Sequence, residues 1–152
     1  MKKILMIMLI GLFGLSVMAQ KAEKDAKENI KIPAAVKAAF QKDYPSVKKA
    51  NWVAEKKDFE AEFKLNGVTT SANYDKTGKK LEEETTIKAN DLPKAALDYV
   101  AKNFPKHKIT EAAKTIYNKN KVTYEAEVTL KDMVHELKFD RNGKLLTKGK
   151  AD

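Results

Sequence analysis

The chain reads FEAEFKLNG from Phe59 to Gly67 and, sixty-five positions later, YEAEVTLKD from Tyr124 to Asp132. In the first run Phe59, Ala61, Phe63 and Leu65 alternate with Glu60, Glu62 and Lys64. In the second, Tyr124, Ala126, Val128 and Leu130 alternate with Glu125, Glu127 and Thr129. Successive strand residues point to opposite faces, so each run predicts a strand with one apolar and one polar side. Asn66-Gly67 supplies the residue pair that a type I′ hairpin turn demands, because both central positions need positive φ. Lys131-Asp132 stands at the same place in the second run and is a poorer pair for that turn.

Working outward, residues 68–74 and 133–139 are the returning strands. Two-residue turns would set Glu62 opposite Ser71, Glu60 opposite Asn73, Val128 opposite His135, Glu127 opposite Glu136 and Glu125 opposite Lys138. Asp75-Lys76-Thr77-Gly78 and Asp140-Arg141-Asn142-Gly143 then form hairpin loops, with Asp accepting local backbone hydrogen bonds and Gly supplying positive φ. Last strands follow at 80–87 and 145–148. Ahead of the hairpins, Ala50-Asn51-Trp52-Val53 and Thr115-Ile116-Tyr117 read as further strands, with Trp52 matched to Tyr117 at the sixty-five offset.

Upstream of each sheet segment lies a helix signal. Ile32-Pro33-Ala34-Ala35-Val36 runs to Tyr44-Pro45, and Leu92-Pro93-Lys94-Ala95-Ala96-Leu97 runs to Phe104-Pro105. A proline early and a proline just past the end bracket about three helical turns. Val36, Ala39, Phe40 and Tyr44 form one apolar stripe, and Leu97, Val100, Ala101 and Phe104 the other. Asp91 is expected to cap the second helix. The offset grows from sixty in the helices to sixty-five in the strands, so five residues are inserted within 106–123. The expected fold is therefore α+β, with two tandem repeats at 32–88 and 89–152. Each is one helix followed by a four-stranded antiparallel meander, and neither buries enough to stand alone.

The first nineteen residues read as a signal peptide: Lys2 and Lys3, an apolar run from Ile4 to Val17, and small or aliphatic residues before Gln20. A membrane anchor would need about 20 apolar residues, and a lipid-modified N-terminus would need a cysteine. Cleavage after Ala19 would leave a charged leader at 20–31 and place the protein in the periplasm or outside the cell. Removing Lys2 and Lys3 from 30 basic residues leaves 28 against 21 acidic ones, a net charge of +7. The lysines are scattered, which argues for solubility and against a nucleic-acid site built from clustered arginine and aromatics. The chain has no cysteine, so neither disulfides nor thiolate-bound metal enter the account.

With these residues laid out, the chain resembles the β-lactamase-inhibitor-like, PepSY-like family of exported bacterial proteins. The resemblance rests on both helix openings, the Tyr44-Pro45 and Phe104-Pro105 stops, Ala50-Asn51-Trp52, the Phe59–Phe63 run and Tyr74-Asp75-Lys76-Thr77-Gly78-Lys79-Lys80-Leu81-Glu82. Copy two repeats these as Tyr124-Glu125-Ala126-Glu127-Val128 and Phe139-Asp140-Arg141-Asn142-Gly143-Lys144-Leu145-Leu146. It implies a tandem α+β module that acts by binding, as an inhibitor lays a sheet surface and loops against its enzyme. PepSY-type domains are held to restrain peptidases. This chain lacks the disulfides of the secreted inhibitor, and no residue matches an inhibitory contact motif.

The chemical readings point away from catalysis. Glu127 opposite Glu136 places like charges together; the plain reading is two solvated side chains splayed apart, and the alternatives are a hard cation such as calcium or a lysine from a neighbouring strand or a partner. Copy one has no matching pair, so a shared carboxylate dyad is rejected. His135 shares the face of Leu137 and Phe139, so it reads as a core-edge residue with a hydrogen-bond partner. No spacing links it to His107. The Asp75 and Asp140 loops lack the ligand pattern of a calcium loop, and no nucleophile elbow, phosphate loop or zinc motif occurs. Trp52 is expected between sheet and helix, with an interface anchor as the alternative. The reading is an exported, non-enzymatic protein-binding module without cofactor, and its alternative is a small-molecule or calcium binder. Its partner-binding face would carry Glu60, Glu62, Ser71, Asn73, Glu125, Glu127, Val134 and Glu136, rimmed by the Asn66-Gly67 and Lys131-Asp132 turns.

Overall fold

The computed structural model describes residues 31–150. The expected signal peptide and all but the last residue of the leader lie outside that range. Helix α1 (Ala34–Asp43) precedes strands β1 (Asn51–Glu55), β2 (Asp58–Leu65), β3 (Val68–Asp75) and β4 (Lys80–Thr86). A short 3₁₀ turn (Ala89–Asp91) leads to α2 (Lys94–Asn103), and β5 (Lys108–Tyr117), β6 (Val122–Leu130), β7 (Met133–Asp140) and β8 (Leu145–Lys150) complete the chain.

Pro33 and Pro93 stand immediately before the helices at φ −57° and −54°, where a missing N–H costs nothing. Tyr44 and Phe104 end them, each donating its N–H at 2.8 Å to Phe40 and Val100 respectively. Asp91 does not cap α2, because Leu92 and Pro93 separate it from the first helical turn. Its carboxylate instead accepts the Lys88 N–H at 3.2 Å and closes the 3₁₀ turn. Val36, Phe40 and Tyr44 are buried in α1, and Ala96, Val100 and Phe104 repeat them at an offset of sixty. The second stripe thus runs through Ala96, while Leu97 is half-buried and Ala101 exposed.

All eight strands form one antiparallel sheet in sequential order. The hairpin registers follow the predicted pairs, including Glu62 with Ser71, Glu60 with Asn73, Glu127 with Glu136 and Val128 with His135. Asn66 and Gly67 both have positive φ, 51° and 83°, as the I′ turn requires. In the second hairpin Lys131 has positive φ and Asp132 does not, so the turn type differs.

The join between the two groups of four strands was hidden in the sequence. Trp52 pairs with Ala61, and the residue paired with the matching Ala126 is Ala112, not Tyr117. The five extra residues therefore lengthen the β5–β6 hairpin beyond Thr115 and Thr123, the counterparts of Glu55 and Asp58. That added length carries β5 alongside β4, from Glu82 opposite Tyr117 to Thr86 opposite Ala113. Tyr117 consequently faces the side of the sheet opposite to Trp52.

Both helices pack on the same face. Under α1, the Phe40 ring lies 5.2 Å from Trp52 and 5.1 Å from Phe63, both edge-on, so Trp52 packs half-buried between sheet and helix. Under α2, Ala112, Ala126, Val128, Leu137 and Phe139 meet Ala96, Val100 and Phe104. Burial of each such aromatic ring contributes about 2–3 kcal/mol. At the edge of the α1 core, Tyr44 donates to Glu83, Lys80 Nζ donates to Glu83 at 3.0 Å, and Tyr74 donates to Asp43 at 3.0 Å. Burial and these anionic neighbours push both tyrosines up. Burial alone would raise Glu83, but Tyr44 and Lys80 outweigh it and hold the carboxyl below its usual range. In the α2 half Asn103, Phe104, Phe139 and Lys148 take these places. There Lys148 Nζ lies 4.8 Å above the Phe104 ring, a cation–π contact in place of an ion network.

Candidate functional site

The face away from the helices collects the polar half of every alternating strand. Glu60 and Glu62 on β2, Ser71 and Asn73 on β3, Glu125 and Glu127 on β6, and Val134 and Glu136 on β7 all lie there. They are half-buried rather than fully wet, while Asn66, Gly67, Lys131 and Asp132 are exposed at hairpin tips. Because the meander reverses at every strand, both of those turns lie at the same end of the sheet. They stand four strands apart, about 19 Å at the usual strand spacing.

Cross-strand register adds Glu82 and Glu84 on β4, Thr115 and Tyr117 on β5, Thr123 on β6 and Lys138 on β7 to this open face. These residues were missed for two reasons. Glu82-Glu83-Glu84 gives no alternation to read, yet Glu83 turns to the helices and its two neighbours turn away. Tyr117 lies in the insertion, Thr115 was misplaced because the sixty-five offset was applied to β5, and Thr123 stands one residue before the alternating run. With Glu111, eight glutamates among the described side chains share the open face, in a chain whose formal charge is +9.

Lys138 is a cation in their midst. Its ammonium donates to Glu125 Oε1 at 2.5 Å and to the Tyr117 hydroxyl at 2.8 Å, and lies 5.4 Å from the Tyr117 ring centre. Burial by itself would lower its pKa, but those two partners outweigh it and the net shift is upward. Asn73 Nδ2 donates to Glu82 Oε1 at 3.1 Å. Thr115 Oγ1 donates to Glu84 Oε2 at 3.2 Å. Burial, then the charges of Glu125, Glu82 and Glu60, push Glu84 up to about 7 against the pull of the Thr115 hydroxyl. Burial and Glu127 also raise Glu111.

Glu84 therefore makes the protein sensitive to pH. Its folded pKa lies above the unfolded value, so the folded state holds the proton more tightly. Its contribution to stability is greatest below about pH 4.5, falls as pH rises towards about 7 and is level above that. Replacing Glu84 by Gln should raise thermal stability at pH 8 by about 1–3 kcal/mol and change it little at pH 4, read from melting curves across that range.

The like-charge pair Glu127–Glu136 is relieved on one side by a hydroxyl, because Thr110 Oγ1 donates to Glu127 Oε1 at 2.8 Å. Among the described residues no group of three or more His, Cys, Asp or Glu side chains is placed to hold a metal ion. His135 and His107, which no spacing linked, meet on the helix face with ring centres 5.7 Å apart, both against Phe104. The hydrogen-bond partner expected for His135 is not found at Nδ1, which is buried and unpartnered.

Two helices laid on one face of a continuous antiparallel sheet, with an acidic open face behind, define the class as an α+β, single-sheet module. The chain belongs to the family described as "Putative beta-lactamase-inhibitor-like, PepSY-like", which matches residues 20–79 and 57–147. The fold is similar to that of a BLIP-like protein from Bacteroides fragilis, at 20% identity and TM-score 0.69 over 84% of this chain and 92% of that one. A DUF2874 family protein from Bacteroides uniformis aligns at 20% identity and TM-score 0.72, over 78% and 88% of the two chains. A protein from Bacteroides eggerthii, described among "putative periplasmic proteins", aligns at 19% and 0.73 over the same shares. Among curated proteins, none matches.

Proposed function

We propose that this is an exported, periplasmic, non-enzymatic binding module whose open sheet face meets another protein, as an inhibitor or modulator of an exported enzyme. The observation that supports it best is the asymmetry of the sheet. Both helices cover one face, while the other keeps eight half-buried glutamates in an otherwise basic chain. Segregated charge of this kind steers and orients a partner of opposite sign. The apolar N-terminal run and the periplasmic description of a similar structure support the location, and no described helix is long and apolar enough to cross a membrane. We read the two halves, 32–88 and 89–152, as copies of one helix-plus-meander unit, with the Asn66-Gly67 and Lys131-Asp132 turns as a shared rim.

The test is affinity capture from periplasmic extract with the wild-type protein and with the double charge reversal Glu62→Lys, Glu127→Lys. A captured protein should be lost with the reversal while the melting temperature holds within about 2 °C, as expected for surface substitutions. Undiminished capture by the reversed protein, or capture lost only when the fold melts, would sink the reading.

A further inference from the structure

We propose that the centre of the open face is a socket for a cationic side chain, an arginine or lysine projecting from the partner protein. The proposal rests on the protein-binding reading above and names the chemistry that the partner must present. Glu84 sits mid-sheet on β4, with Glu60 on β2, Glu82 on its own strand and Glu125 on β6 close enough to act on its charge. Carboxylates alone would be only an acidic cluster. The second observation is Thr123, in the same cross-strand row as Glu84 and Thr115. Thr123 is 1% exposed, and its Oγ1 has no hydrogen-bond partner. At the other flank Asn73 commits its Nδ2 to Glu82 and leaves a buried, unpartnered Oδ1.

A buried polar atom without a partner costs about 1–3 kcal/mol, so this face is incomplete as it stands. An amide oxygen can only accept and a hydroxyl can accept, so the face asks for a donor. The neighbouring carboxylates ask for positive charge. Lys138 shows within the chain how such a guest is held, but its ammonium is engaged by Glu125 and Tyr117. Half-buried carboxylates also select a long, narrow side chain that can reach in from an opposing surface. Arginine matches this best, because its fork can bridge Glu84 and a second carboxylate. A phosphate or acidic peptide would meet like charge.

The probe is a synthetic (Gly-Arg)₄ peptide, with (Gly-Glu)₄ as control, titrated into isotope-labelled protein and followed by amide chemical shifts. The arginine peptide should move Asn73, Glu84, Thr115 and Thr123 and the control should not. Glu84→Gln keeps a hydrogen-bonding group beside Thr115 and should weaken binding about fivefold or more, a loss of about 1 kcal/mol. Wild-type affinity should rise between pH 6 and 8 and the variant's should not. The groups facing Glu84 are Glu60, Glu82, Thr115, Tyr117, Glu125 and Lys138, and the Glu84 titration falls in that window.

Shifts confined to other surfaces, unchanged affinity in Glu84→Gln, or calcium moving the same amides while the peptide does not would each overturn the socket. If the captured partner is lost with Glu62→Lys, Glu127→Lys but ignores Glu84→Gln and the peptide is silent, the socket fails and the protein-binding reading stands. If the reversal leaves capture intact, that reading itself fails.

Discussion

Replacing Gly143 by valine is expected to destabilise the protein by about 4 kcal/mol or more, a large part of the stability of a domain of this size. Gly143 has φ +83°, a backbone region that a β-branched residue enters only with strain. A Cβ there would also lie 2.7 Å from the Ala96 backbone nitrogen and 3.0 Å from the side chains of Ala95 and Pro93. The loop after β7 is thus pressed onto the start of α2, and the clashing atoms, one backbone nitrogen and two Cβ carbons, are held in place by the helix backbone. Gly67 provides the internal control. Its φ is the same, +83°, but nothing lies within 4 Å of the added carbon. Gly67→Val should therefore cost only the conformational part, about 1–2 kcal/mol. Urea unfolding of both variants separates the packing contribution from the dihedral one. Equal losses in the two would show that the loop does not bear on the helix.

Lys138→Met should lower stability by about 3–5 kcal/mol. The Lys138 and Glu125 side chains are only 20% and 15% exposed, and the substitution strands the Glu125 carboxylate near Glu84. In a domain of this size the melting temperature should fall by about 10 °C or more. The double variant Lys138→Met, Glu125→Leu should recover most of the loss, because an apolar pair of similar volume replaces a buried ion pair at little net cost. Failure of the second substitution to rescue would mean that Lys138 acts through its stacking on Tyr117, not through Glu125. Melting curves of the two single variants and the double variant decide this.

The residues that announced the fold were those with unbroken periodicity. Alternation in Phe59–Leu65 and Tyr124–Leu130, closed by a two-residue turn, carried both hairpin registers to the residue. The paired prolines carried both helices. What could not be read lay where periodicity lapses. Three successive glutamates on β4 cannot show which of them faces the helices, since only tertiary packing against Tyr44 selects Glu83. The five inserted residues broke the offset, so Tyr117 was matched to Trp52 although Ala112 fills that place. The same broken offset hid Thr115 and Tyr117, and Thr123 stands just outside the Tyr124–Leu130 run, so the centre of the candidate site was the least legible part. Sequence reasoning reached the rim and flanks of that face, through Glu60, Glu62, Ser71, Asn73, Glu125, Glu127 and Glu136, but not its middle.

The claim that the open face is the recognition surface can be tested by thiol protection. Because the chain contains no cysteine, a single introduced thiol reports one position unambiguously. Ser71→Cys places it on the open face, and Ala38→Cys places it on the exposed side of α1. Each variant is reacted with a maleimide reagent with and without the captured partner. The account predicts that the partner slows labelling of Ser71→Cys at least tenfold and leaves Ala38→Cys unchanged. Protection at Ala38→Cys with free reaction at Ser71→Cys would contradict it.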